Sequence, residues 1–134
     1  MNSPIASATC AGLLALLALC QDALAEQRQY TAAISSTGKV LRQSSNWLDK
    51  VEVSGQPGYF AEYTIAFKAD VFARQPGYCS VAATDRSDYD DIFYGKAQLG
   101  GTPDRQQVKV QTHRVGDSRR DHDPRMSFLL LCVK

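Results

Sequence analysis

Histidine, tryptophan and methionine are scarce. The 134 residues hold two, one and two of them. With only His113 and His122, histidine-based acid–base chemistry and multi-histidine metal sites have little material to work with. No Gly-x-Ser-x-Gly nucleophile elbow is present. Charge of one sign is also lacking: 15 basic residues stand against 14 acidic ones. The strong basic excess of a nucleic-acid surface is missing, so no nucleic-acid partner is expected. Long hydrophobic runs are absent too. The apolar run Ala11–Leu19 has nine residues, whereas a bilayer core needs about 20.

That short run has another reading. It is the length of a secretory h-region, and Ala23-Leu24-Ala25 supplies small residues where a signal peptidase reads them. The n-region carries no Lys or Arg, which departs from the pattern. The expectation is a signal peptide over residues 1–25 and a single mature domain over 26–134, secreted or periplasmic, with no membrane span. Two alternatives stand beside it. The run could be an N-terminal core helix, or Leu17-Ala18-Leu19-Cys20 could serve as a lipobox, against which the bulk of Leu19 argues. Cleavage removes one acidic residue, Asp22, and no basic one, leaving a mature charge of +2.

Cysteine fits export. Cys10 and Cys20 leave with the leader, and Cys79 and Cys132 remain. In an oxidising compartment these two most simply form one disulfide. Closing so long a loop stabilises by about 4 kcal/mol on the chain-entropy estimate. Bonded cysteines are lost as nucleophiles.

The mature chain reads as short strands between turns. Tyr59 to Phe67 has a clean period of two, with Tyr59, Ala61, Tyr63, Ile65 and Phe67 on one face. Further strands are expected over Gln29–Ser36, Lys39–Gln43, Asn46–Val53, Gly77–Thr84, Ile92–Leu99, Gln106–Val115 and Met126–Val133. Breaks fall at turn-rich clusters such as Ser54-Gly55-Gln56-Pro57-Gly58. Cys79 and Cys132 both fall on the apolar set of their strands. Met126, Phe128, Leu130 and Cys132 share one face of the last strand. Leu129, Leu131 and Val133 on the other face point to burial on both sides or to contact with another subunit. The expected fold is all-β: a small antiparallel β-sandwich, jelly-roll-like, of about seven or eight strands with one disulfide.

One pattern carries a family likeness. It runs Gly38…Trp47-Leu48, then Tyr63-Thr64-Ile65-Ala66-Phe67-Lys68-Ala69, then Phe72…Pro76…Cys79-Ser80-Val81, and ends in Phe128-Leu129-Leu130-Leu131-Cys132-Val133. It resembles the small β-sandwich modules at the C-termini of phage tail-fibre and bacterial surface proteins, which are similar to C1q-like and H-type lectin-like heads. The resemblance implies binding, often of glycans, and often trimers. It carries over no functional residue.

Two charged stretches are the candidate sites. Asp85, Asp88, Asp90 and Asp91 cluster within seven residues between two expected strands. Clustered carboxylates are what calcium takes as ligands, but the spacing is not that of an EF-hand. A solvated acidic loop with Arg86 as partner is the plainer reading, so no cofactor is assigned. Tyr89, Phe93 and Tyr94 adjoin it, and aromatics beside carboxylates suit a sugar site as well as a core edge. The second stretch, Gly116 to Arg125, carries Arg119, Arg120 and His122 between Asp121 and Asp123. Neighbouring carboxylates favour protonated histidine, and a solubilising loop is again the plainer reading.

The sequence therefore points to a non-enzymatic, lectin-like binding module with a glycan or an envelope protein as partner. The alternative is a periplasmic inhibitor or immunity protein that blocks a partner protein through a charged loop. A hydrolase using Asp90 and Asp91 as a carboxylate pair is the third reading, and nothing in the sequence raises either pKa by burial.

Overall fold

The computed structural model describes residues 28–84, 93–116 and 123–134. Eight strands follow in chain order: β1 (Gln29–Ile34), β2 (Val40–Gln43), β3 (Leu48–Gln56), β4 (Phe60–Phe67), β5 (Tyr78–Thr84), β6 (Gly95–Leu99), β7 (Gln107–Arg114) and β8 (Ser127–Val133). They form two four-stranded antiparallel sheets, ordered β2-β1-β8-β5 and β3-β4-β7-β6. The expected all-β sandwich is the fold. The leader lies outside the described residues, and no helix among those residues is long and apolar enough to cross a membrane.

Alternation builds the core. β4 buries Ala61, Tyr63, Ile65 and Phe67 and leaves the residues between them half-buried. β7 buries Val108, Val110 and Thr112 in the same alternation, and β8 buries Phe128, Leu130 and Cys132, with Lys109 and Leu129 exposed on the other side. Each successive side chain on a strand points to the opposite face, so a single parity fills the space between the sheets. Tyr63 and Phe128 meet there, ring to ring, at 4.9 Å.

The expected boundaries needed three corrections. Tyr59 shares the parity of the buried set but is 69% exposed. It belongs to the turn Gln56-Pro57-Gly58-Tyr59, closed by Tyr59 N–H donating to Gln56 O at 3.0 Å. Proline at the second position and a glycine with φ of 72° at the third meet the demands of a type II turn. β3 runs through Ser54 and Gly55 to Gln56, where a break was expected, because both pair across to β4. β6 begins at Gly95 rather than Ile92, since Phe93 and Tyr94 form a helical turn. The outer side of β8 is not buried throughout: Leu129 is 44% exposed and Leu131 half-buried, while Val133 is buried.

One end of the sandwich is pinned by aromatics and by the disulfide. Trp47 lies 5.4 Å from Phe67 and 5.5 Å from Tyr30, and Phe72 packs on Phe67 at 4.9 Å. The Trp47 indole N–H donates to Thr31 O at 3.1 Å, while Gln43 Oε1 accepts from the backbone of Trp47 and Leu48. Cys79 and Cys132 are bonded. They are direct partners in the β5–β8 ladder, so the bridge joins neighbours in one sheet and not the two sheets. β5 is an edge strand of that sheet.

Candidate functional site

The opposite end of the sandwich gathers four connections. Ile34 pairs with Phe128 and Thr84 with Ser127, so β1, β5 and β8 bring their connections to this end of their sheet. Phe60 pairs with His113 and Gly95 with Arg114, which brings β4, β6 and β7 to the matching end of the other. Hydrogen bonds tie the connections together. Ser36 N–H donates to Ser127 Oγ at 3.2 Å, and Val115 N–H to Tyr94 O at 2.8 Å. The Tyr63 hydroxyl rises from the core to donate to Ser36 O at 2.8 Å, with Met126 O 3.3 Å away. Burial pushes its pKa up.

A cleft of about 690 Å³ opens at this end. One wall is the β3–β4 hairpin, with Val53, Ser54, Gly55, Pro57 and Phe60. The other is Asp123, Pro124 and Arg125, the chain leading into β8. The volume falls within the range of small-molecule sites, about 300–1,000 Å³. Both walls are fixed from below. The buried Thr112 hydroxyl donates to Pro124 O at 2.8 Å, which ties the β8 approach to β7. Gly55 has a φ of 131°, and a Cβ there would lie 2.3 Å from Phe60 O. Only glycine allows the two strands of the hairpin to approach so closely.

The charges of the cleft are organised. Arg125 donates to Asp123 through Nε at 2.9 Å and Nη2 at 2.6 Å, and its backbone N–H adds a third bond at 3.0 Å. These bonds hold the Asp123 carboxyl below the usual carboxylate range, and the charge of Arg114 acts in the same direction. The pair is about half exposed, so it contributes little to stability. Its oxygens and guanidinium remain in reach of a ligand. The cleft thus sets a fixed ion pair against an apolar wall of Phe60, Pro57 and Val53.

Of the residues expected to bind, Asp85, Asp88, Tyr89, Asp90, Asp91, Arg119, Arg120 and His122 all lie outside the described residues. The described residues that flank them do come together. Thr84, Phe93, Gly116 and Asp123 all belong to the cleft end. Spacing alone did not show Val53, Pro57 and Phe60 as site residues, because the cleft is made by a hairpin meeting a segment more than 60 residues further on. Among the described residues no group of three or more His, Cys, Asp or Glu could hold a metal ion. No family model, curated protein or solved structure matches the chain.

Proposed function

We propose that the chain is the precursor of a secreted or periplasmic, non-enzymatic binding module that recognises a glycan of a cell surface at the cleft end. One observation carries this reading. Asp123, the described flank of the second charged stretch, lines a cleft that pairs an apolar wall of half-buried Phe60 and exposed Pro57 with an immobilised ion pair. Sugar rings present C–H faces that stack on apolar surface and hydroxyls that bond carboxylates and guanidinium groups. A cleft with those two halves offers both.

The test is capture. Purified protein is presented with arrayed glycans and with envelope extract, with and without chelator. Retained polysaccharide, released by free sugar and lost in Phe60→Ala and Arg125→Ala, is the expected result. One protein retained in fixed ratio through a salt-sensitive complex, with the arrays blank, would replace this reading with that of an inhibitor or immunity protein. Loss of binding with chelator would bring the Asp85–Asp91 stretch into the site.

A further inference from the structure

We infer that the outer face of the β2-β1-β8-β5 sheet is a self-association surface that pairs two copies of this chain. The two sheets differ sharply on their solvent sides. On the β3-β4-β7-β6 sheet, charged residues stand on all four strands in the outward set: Lys50, Glu52, Glu62, Lys109 and Lys96, with Glu62 bonded to Lys109 at 3.0 Å. That is an ordinary solvated face. On the other sheet the outward positions of β1, β8 and β5 are Thr31 and Ala33, Leu129 and Leu131, and Ser80 and Ala82. None is charged. Depletion of charge with exposed apolar side chains marks the core of a protein interface.

The shape of this face is its own complement. Leu129 and Leu131 form a ridge along β8. Their direct partners are small on both sides: Ala33 and Thr31 on β1, Ala82 and Ser80 on β5. A groove of about 420 Å³ runs over these columns. Ridge and trough lie one strand apart, about 4.8 Å. A two-fold axis lying in the interface, parallel to the strands and midway between β8 and a neighbour, sets each copy's leucines on the other copy's small residues, the isologous contact of a dimer.

Charge selects the occupant. Among the described residues, Arg42 is the one charged residue lining this groove. An acidic or basic partner would find almost nothing to pair with, and a membrane-surface site wants a cluster of Lys and Arg. A second copy needs no counter-charge, and a net charge of only +1, or +2 once the leader with Asp22 is removed, sets up little repulsion between copies. The footprint of four strands, about 400 Å² per copy at the usual strand spacings, is about half of what a standard interface buries on each side. The dimer is therefore weak, micromolar or above, and depends on concentration.

Sedimentation velocity of the purified protein from about 10 µM to about 1 mM tests this. The expected result is a reversible monomer–dimer shift. Leu129→Asp on the ridge and Ala82→Asp in the trough should each raise the dissociation constant at least about tenfold, since each substitution enters a two-fold interface twice. Both sites are exposed, so circular dichroism should show the fold intact. Lys96→Glu, on the other sheet, should change nothing. A monomer at every concentration, or a dimer that survives both Asp variants, would overturn the inference. Neither result bears on the cleft.

Discussion

Tyr63 and Phe128 meet edge to face at 4.9 Å, one from each sheet, and both are fully buried. The Tyr63 hydroxyl then carries the contact outward to the backbone of Ser36. One side chain so joins the centre of the core to the connections that frame the cleft. Tyr63→Phe keeps the ring and removes the bond. Leaving the half-buried Ser36 carbonyl poorly satisfied should cost about 1–2 kcal/mol in urea unfolding. Tyr63→Ala should cost about 3–5 kcal/mol, because it also opens a cavity. Equal costs for the two variants would show that the hydroxyl, not the ring, holds this point.

The disulfide joins cysteines 53 positions apart in sequence. Replacing both cysteines by alanine should lower stability by about 4 kcal/mol on the chain-entropy estimate. The bridge joins β5 to β8 within one sheet, so the cross-sheet core should survive. The variant should remain strand-rich by circular dichroism in the cold and unfold earlier on heating. Mass spectrometry of the native protein should find neither Cys79 nor Cys132 as a free thiol.

Much of this fold was legible in the sequence, for a physical reason. Where a strand has one face buried, parity alone sorts its residues, as it does from Ala61 to Phe67 and from Met126 to Cys132. Parity misled at Tyr59 because the chain had already left the sheet for the Pro57-Gly58 turn. Turn-residue density misled at Gly55, because a glycine in such a cluster reads as a break, whereas here it lets β3 lie close against β4. The candidate site was less legible. Phe60 and Asp123 are 63 positions apart, and nothing in their spacing announces that they face one another. Charge clustering drew attention to Asp85–Asp91 and Arg119–His122, which lie outside the described residues. It could not show that their flanks share one end of the sandwich.

Glu62 accepts hydrogen bonds from Gln111 Nε2 and Lys109 Nζ, both at 3.0 Å, and these hold its carboxyl below the usual range. In the unfolded chain the same group titrates at about 4.3. The folded state thus binds fewer protons through this region. Its contribution is complete above the unfolded value and is lost as pH falls through the depressed folded one. Wild type should lose more stability than Glu62→Gln between about pH 6 and about pH 3. The same loss in both proteins would remove Glu62 from the acid response.

Gly55→Ala should distort the hairpin wall of the cleft. The added Cβ would meet the Phe60 carbonyl at 2.3 Å on a backbone held at φ of 131°. Strain of this kind costs about 1–3 kcal/mol. The variant should fold with lowered stability and bind ligand more weakly than its stability alone explains. Unchanged binding at full folding would separate the hairpin from the site.

The most direct measurement is amide chemical-shift mapping of the isotope-labelled protein as captured glycan is titrated in. Binding at the cleft predicts shifts at Ser54, Gly55, Phe60, Asp123 and Arg125, with the far end, around Lys68 and Gln106, unmoved. Shifts confined to that far end, or to the Leu129 face, would contradict a binding site at the cleft.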